Sequence, residues 1–368
     1  MINKIESIKQ RLSEICDKKY VFLTGRGTTA IYLALRAIGR CTNGKRMSNI
    51  ILPNLLCPSP ADAVLYSNMK PLFCDINLHD YNMNIESLEN VINRDTKAIL
   101  AVHIFGHPCD MDEIIEIAEK RNLYVIEDCA QAIGGKYKCR KIGTMGDFVI
   151  LSFGAKKIID AGDGGALLTD SAKFARIIED ELKKLPPKPP NIDMMFNKYR
   201  KLFYKYIELN NQEEKRAKLL ELSYSFKKMY IYKFDSNYAN KICEELGKLQ
   251  ENTKKRVQNA LLYRKMLRHK DIIHPQFKQG GTCYRYSILI KRKNVKAITE
   301  AIRKKGYDAS NLYRQPLHEI YSNQKDQNFK NSTYVSKHII NLWVDPSITK
   351  EYINEVCNII LKELNNVY

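Results

Sequence analysis

Three short stretches carry residue types that can do chemistry together. The first, LTGRGTTAIYLAL (Leu23–Leu35), runs from an apolar strand through a glycine-bearing turn into a helix. Glycines let the backbone approach a ligand, and the free N–H groups and positive dipole end of the helix suit an anion. Thr28 and Thr29 add hydroxyl donors, so this stretch fits a phosphate. The second, LYVIEDCAQAIGG (Leu123–Gly135), closes a buried-looking strand on Glu127 and Asp128. A carboxylate there can form a charge-assisted hydrogen bond to a cationic ligand nitrogen, or it can cap the following helix. The segment alone leaves both readings open. The third, GDFVILSFGAKKIIDAGDGGALLT (Gly146–Thr169), sets Ser152 and the pair Lys156–Lys157 after a strand, with GDGG leading into the next. A lysine that loses hydration beside a buried strand is a nucleophilic amine. Ser152 sits where its hydroxyl can meet the same phosphate.

The spacing Gly25-x-Gly27-x-x-Ala30 has the outline of a dinucleotide fingerprint. That fingerprint requires an acidic residue about 20 positions on to hold the ribose hydroxyls. No Asp or Glu occurs from Arg26 to Ile50, which disfavours NAD.

The elements that must position these residues read as α/β. Short apolar runs at Tyr20–Thr24, Asn49–Pro53, Lys70–Asp75, Ala98–Val102, Leu123–Glu127, Asp147–Ser152 and Gly164–Thr169 alternate with amphipathic stretches such as TAIYLALRAI and MDEIIEIAEKRN. Continuous runs such as AILAV suit strands buried on both faces, in a sheet covered by helices. Residues 171–235 differ. LPPKPP (Leu185–Pro190) cannot be helix interior or central strand. The basic, aromatic FNKYRKLFYKYIELNNQEEKRAKLL follows at helical spacing. Such a segment can touch a membrane surface or an anionic substrate, but amphipathicity is more often a helix packed on its own protein or a sister subunit. The remainder reads as a small α/β domain: a long helix over Asn240–Leu267, strands at Tyr284–Ile290 and Ile340–Val344, and helices over Val295–Lys305 and Thr349–Asn365. The chain thus divides into a large domain, 1–235, and a small C-terminal domain, 236–368.

With 368 residues, 44% of them hydrophobic and 27% charged, the chain suits a soluble globular protein of two domains. No apolar run approaches the roughly 20 residues that span a bilayer. The amphipathic N-terminus lacks the apolar core of a signal peptide. Ten scattered cysteines without a CxxC pair suggest neither a zinc site nor a disulfide framework, and fit reduced thiols in a cytoplasm. The net charge of +19 is spread along the chain and accompanies no nucleic-acid module. It fits a generally lysine-rich composition together with a substrate bearing a few phosphates better than a nucleic-acid binder.

In their order and spacing these stretches resemble the DegT/DnrJ/EryC1/StrS family of sugar aminotransferases, within the fold-type I pyridoxal-phosphate enzymes. The resemblance takes in RGTTAIYLAL, ILPNLLCPSPADAVLYSNMKPLFCDI, VHIFGHPCDM, VIEDCAQAIGG, SFGAKKIIDAGDGGALLT and the C-terminal QPLH and INLWVDPSIT. It implies a mainly parallel seven-stranded sheet flanked by helices, pyridoxal 5′-phosphate as cofactor, and a homodimer. It also implies transfer of an amino group from glutamate or glutamine to a keto-sugar, nucleotide-linked, in surface-polysaccharide or modified-sugar synthesis. Lys157, five residues after Ser152, matches the lysine that condenses with the cofactor aldehyde, with Lys156 one residue off that register. Asp128 matches the partner of the pyridinium nitrogen, Gln131 the neighbour of the ring and its phenolic oxygen, and Thr28, Thr29 and Ser152 the phosphate ligands. His318, in QPLH, matches a position near the substrate entrance.

Two departures stand out. PNLLC replaces an aromatic P-S-F-T-F stretch, so Cys57 stands where a ring usually stacks on the cofactor: either a sulfur–ring contact takes that place or the register of the match is shifted here. YKFDSNYANK replaces an N-x-R motif that reaches the sister subunit's cofactor phosphate; Asn237 can serve in part, but the arginine is missing. The resemblance admits two other readings. A sugar dehydratase branch of the family replaces the lysine by His, which Lys157 argues against. A non-catalytic regulatory protein on the same fold would have no use for the set Lys157, Asp128 and Ser152.

Overall fold

The apolar runs form strands close to their expected bounds. The computed structural model describes residues 2–41, 47–291, 295–322, 324 and 328–365. The strands are β1 (Tyr20–Thr24), β2 (Asn49–Pro53), β3 (Lys70–Cys74), β4 (Thr96–Val102), β5 (Tyr124–Asp128), the short hairpin β6 (Lys136–Tyr137) and β7 (Arg140–Lys141), then β8 (Phe148–Ser152) and β9 (Gly165–Thr169). A second set comprises β10 (Ile272–Ile273), β11 (Tyr286–Ile290), β12 (Ala309–Ser310) and β13 (Ile339–Leu342). The large sheet has the order β1-β9-β8-β5-β4-β2-β3. Its pairs are parallel except around β9, which runs against both β1 and β8. Every residue of β2 and β9 is buried, as expected of strands with helices on both faces. The smaller sheet is antiparallel, in the order β10-β11-β13-β12.

Register brings functional strand ends together. Asp128 pairs with Val102 on β4 and with Ile150 on β8, while Gly165 of β9 faces both Ser152 and Thr24. One edge of the sheet therefore carries the C-terminal ends of β1, β4, β5 and β8. In open α/β sheets this is where ligands bind.

The third part departs from expectation in one element. The helix expected over Asn240–Leu267 is two helices, Ala239–Gly247 and Leu249–Met266, joined at Lys248. Gly247 is a poor helix former, and it stands at the break. The first of these helices buries Ile242 and Leu246 in one cluster with Ile8 and Leu12 of the N-terminal helix Ile2–Cys16. It thus packs with the residues expected in the large domain, although it lies beyond 235. A separate core, from Ala260 to Leu364, fills the space around the small sheet. The segment 171–235 forms helices Ala172–Lys184, Ile192–Ile207 and Gln212–Ser225, the first two separated by the LPPKPP break.

One buried carboxyl in this frame is poorly balanced. Asp62, in helix Pro58–Tyr66, is fully buried; Oδ1 accepts from Ser223 Oγ (2.6 Å) and Tyr321 Oη (2.7 Å), but Oδ2 has no partner among the described residues. Burial pushes its pKa up from 3.8 to about 6, against the pull of those two hydrogen bonds. The folded chain holds this proton more tightly than the unfolded one, so the contribution is full below about pH 4 and is lost as pH rises through 6. About two pH units correspond to about 3 kcal/mol. Asp62→Asn is therefore expected to raise unfolding free energy at pH 8 by up to about 3 kcal/mol and to change it little at pH 4. Urea denaturation at the two pH values checks this; an equal effect at both would refute it.

Candidate functional site

A cavity of about 620 Å³ opens at the carboxyl edge of the large sheet, and Thr28, Cys57, Asp128, Gln131, Ser152 and Lys157 all line it. The glycine turn after β1 makes the first wall. A Cβ on Gly25 would stand 2.3 Å from the Tyr232 ring, and one on Gly27 would stand 3.1 Å from the Ser152 Cβ. Only glycine allows the chain to pass there and start helix Gly27–Cys41 beside Ser152. The first N–H groups of that helix have no intrahelical acceptor. Thr28 faces the cavity, but Thr29 does not: it is fully buried, and its hydroxyl donates to the Tyr230 carbonyl at 2.6 Å. The Thr29 hydroxyl expected at a phosphate is thus engaged by a backbone acceptor on a distant segment.

Glu127 and Asp128 divide sharply. Glu127 is fully buried and accepts from the N–H groups of Gly143 (2.7 Å), Met145 (2.9 Å) and Gly146 (2.9 Å). His103 Nε2 lies 3.1 Å away, while its Nδ1 accepts from the Cys109 N–H. The ring is therefore the Nε2–H tautomer, donating to Glu127. Burial pushes the Glu127 carboxyl up, but His103 and the backbone donors overcome it and hold the group below its ordinary range. His103, Glu127 and Cys129 have ligand atoms close together, yet these bonds already occupy both the ring and the carboxylate. Asp128 instead takes one backbone bond, from Ala130 N–H at 2.9 Å, and lines the cavity. Burial raises its pKa, with Ala130, Lys157 and His103 opposing. A cationic ligand nitrogen would relieve that burial.

The two lysines also part. Lys156 adopts a left-handed backbone (φ 66°), and its N–H donates to Asp160 Oδ2 at 2.9 Å. Its exposed ammonium lies 4.3 Å from the Trp343 ring centroid. Lys157 N–H donates to the Gly154 carbonyl at 3.2 Å; the residue lines the cavity with Nζ 5.2 Å from the Tyr284 ring centroid, and its charge pulls down the Asp128 and Cys57 pKa values against burial. Gln131 is held at both ends: Oε1 accepts from Phe105 N–H at 2.9 Å and Nε2 donates to Tyr313 Oη at 3.1 Å. Phe105 has φ 54° and stacks on Tyr313 at 5.6 Å. Cys57 precedes helix Pro58–Tyr66 with Sγ 3.4 Å from Ser59 Oγ, and burial pushes its thiol up.

Two expected residues lie elsewhere. His318 does not line the cavity. Its Nδ1 is 2.9 Å from Asn54 Nδ2, its N–H donates to Asn54 Oδ1, and its ring stacks on Phe329 at 4.2 Å. Burial pulls its pKa down to about 4, which favours the neutral ring. Asn237 is exposed on the turn Ser236–Tyr238, where its N–H donates to Asp235, and it does not line the cavity of its own chain.

Sequence reasoning missed an ionic cluster on the same wall. Arg26 lines the cavity; its Nε donates to Tyr232 Oη at 2.7 Å, and its guanidinium lies 4.1 Å from the Phe196 ring centroid. Asp163 is buried and receives Tyr232 Oη at 2.9 Å, Lys188 Nζ at 2.9 Å and Arg26 Nε at 3.5 Å. The signal was an arginine inside RGTTAI and an aspartate inside GDGG, but Lys188 and Tyr232 join them from the far side of the helical segment. Phe196 and Tyr230 bring aromatic rings to the cavity that PNLLC does not supply. Helix Ile192–Ile207 packs on its own chain, with Phe196 and Tyr199 edge-on to Tyr230 at 5.8 and 6.0 Å. It also walls the site through Asp193, Phe196 and Asn197. Among the described residues no helix is long and apolar enough to cross a membrane.

This geometry has relatives. GDP-perosamine synthase of Escherichia coli O157:H7 is 38% identical over 168 residues, which cover 46% of this chain and 45% of that protein. UDP-N-acetyl-3-dehydro-alpha-D-glucosamine 3-aminotransferase of Acidithiobacillus ferrooxidans is 40% identical over 151 residues, 41% of this chain and 40% of that one. Each match thus spans less than half the length of the relative. Among solved structures, a Helicobacter pylori aminotransferase involved in the biosynthesis of pseudoaminic acid superposes with a TM-score of 0.80 at 19% identity, covering 99% of this chain and 92% of that one. A sequence profile matches residues 2–361, and on that match the chain belongs to the DegT/DnrJ/EryC1/StrS aminotransferase family.

Proposed function

We propose that this protein is a pyridoxal-phosphate aminotransferase that places an amino group, taken from glutamate or glutamine, on a keto-sugar carried by a nucleotide. The observation that carries the reading is the placing of Lys157 and Asp128 in one cavity at the carboxyl edge of the sheet, beside a helix N-terminus. Pyridoxal phosphate is the cofactor of this family. The donor set fits it: a half-buried amine, a buried carboxyl with a single backbone bond, and a wall of Gly27, Thr28 and Ser152 where a side chain on residue 27 would crowd Ser152. When bound, this cofactor supplies an electron sink for the carbon next to the amine.

The residues of the chain do the rest. Asp128 holds a proton on the ring nitrogen by a charge-assisted hydrogen bond. The Lys157 amine would hold the cofactor and, once released from it, would serve as base and then as acid for the proton on the donor's α-carbon. Gln131, fixed by Phe105 and Tyr313, orients the ring edge. Arg26 stands on the same wall, held by Asp163 and Tyr232. We place the active unit as a homodimer, with Asn237 on its exposed turn toward the partner. The relatives named for GDP- and UDP-linked sugars support a nucleotide-linked acceptor.

The test is spectroscopic. Purified protein incubated with pyridoxal phosphate is expected to turn yellow and to fix the cofactor on borohydride reduction. Added glutamate or glutamine should then bleach the colour, a half-reaction that a dehydratase or a regulatory protein would not show. Protein that stays colourless refutes the assignment.

A further inference from the structure

We infer that helix Ile192–Ile207 forms the seat for the nucleoside diphosphate of the acceptor, in a second cavity that continues the first. The inference rests on the aminotransferase reading above and assigns a role to the basic, aromatic segment. The second cavity, about 320 Å³, shares Cys57, Ser59, Phe196, Asn197 and Tyr230 with the cavity that holds Lys157. A ligand whose reacting carbon reaches Lys157 can therefore extend into it without leaving the protein.

One face of the helix runs along both spaces. Asp193, Phe196 and Asn197 line the inner cavity; Phe196, Asn197, Arg200, Phe203 and Tyr204 line the outer one. These positions follow the three-and-four spacing of a single helical face. From Phe196 to Phe203 the axis advances about 10 Å, so the wall is long enough to read the part of a substrate beyond its sugar. Its chemistry is of two kinds in the right order. Next to the inner cavity stands Arg200, exposed, its Nη2 donating to Asn197 Oδ1 at 3.3 Å and forming no ion pair among the described residues. Arg26, Arg36, Arg40 and Arg314, by contrast, all have carboxylate partners. An unpaired guanidinium at a cavity mouth is suited to phosphate oxygens. Around and beyond it are rings: Tyr199 and Phe203, stacked at 5.9 Å, with Tyr204 and Tyr230. Aromatic side chains hold nucleobases by stacking. Inorganic phosphate would use only the arginine.

Titration calorimetry of the pyridoxal-phosphate-loaded protein with UDP, GDP and inorganic pyrophosphate tests this. At least one nucleoside diphosphate is expected to bind, and Arg200→Ala and Phe203→Ala should each weaken it tenfold or more. Pyrophosphate should respond to Arg200→Ala and not to Phe203→Ala. The cofactor's absorbance reports whether each variant keeps its site. If Phe203→Ala does not fold, the exposed Arg200→Ala still decides the matter, with Tyr204→Ala as the ring variant. Loaded protein that binds neither nucleotide, or binds it equally in all variants, overturns this inference alone; protein that never takes up the cofactor overturns the aminotransferase reading beneath it.

Discussion

Lys157→Ala protein, incubated with pyridoxal phosphate and reduced with borohydride, is expected to retain no covalently fixed cofactor and to lose at least about 10⁴-fold in the glutamate- or glutamine-driven half-reaction. The substitution removes both the amine that would bind the cofactor and the base that would move the proton, and no other lysine lines the cavity among the described residues. Lys156, the neighbour, is turned out by its left-handed backbone and the Asp160 bond, with its ammonium over Trp343. Lys156→Ala should therefore fix cofactor and bleach with donor at a rate within a few-fold of the parent. Absorbance before and after reduction, with stopped-flow rates for both variants, makes the comparison. A bleaching rate surviving in Lys157→Ala, or one lost in Lys156→Ala, would show that the register is wrong by one residue.

Much of the fold is legible in the sequence because its strands are continuous apolar runs. A strand buried on both faces has no polar positions to blur its ends, and β1 and β2 match the expected bounds to the residue. The long C-terminal helix reads as a single element for the converse reason. Its apolar spacing carries on across Gly247 and Lys248, and only the different faces that the two halves bury separate them. Ile242 and Leu246 go to the N-terminal helix, while Ala260 and Tyr263 go to the small-sheet core. That division is a tertiary fact, which local periodicity does not encode.

Legibility of the site follows the same line. Asp128, Ser152 and Lys157 stand at or just after strand ends, where register fixes which edge they share, so local spacing is enough. Thr28 and Thr29 show the limit. Adjacent residues on a first helical turn point about 100° apart, and which one meets a ligand depends on what occupies the other direction. At Thr29 that is the carbonyl of Tyr230, on a segment some 200 residues away in sequence. Arg26 escapes sequence reasoning for a related cause. An arginine in a glycine-rich turn has no evident role until Asp163, Lys188 and Tyr232 are seen to hold it. His318 owes its expected place to its position in a motif, yet its ring packs on Phe329 and pairs with Asn54, a fate common for half-buried histidines.

The adjacent carboxylates Glu127 and Asp128 are expected to fail in opposite ways when neutralised. Asp128→Asn leaves the shape of the strand end intact but withdraws the negative charge from the ring nitrogen. Its half-reaction should slow on the order of 10²–10³-fold, the scale of losing one preorganised electrostatic contact. Burial raises the Asp128 pKa, so without ligand its contribution is present at low pH and is lost as pH rises; Asp128→Asn should be no less stable than the parent at pH 8. Glu127→Gln strikes a buried charge bound by His103 and three backbone N–H groups, and should lower stability by about 3–5 kcal/mol at neutral pH. Its sign with pH is reversed. The depressed Glu127 carboxyl contributes stability above its ordinary value of 4.5 that disappears as pH falls through the folded-state value, so Glu127→Gln should flatten the acid limb of the stability curve. Denaturation midpoints from pH 3 to 8, set beside half-reaction rates, separate the two roles. If Asp128→Asn lost stability while keeping its rate, and Glu127→Gln did the reverse, the carboxylate facing the cofactor would be Glu127, and the end of β5 would have to be turned the other way, with Asp128 against His103 and the backbone donors.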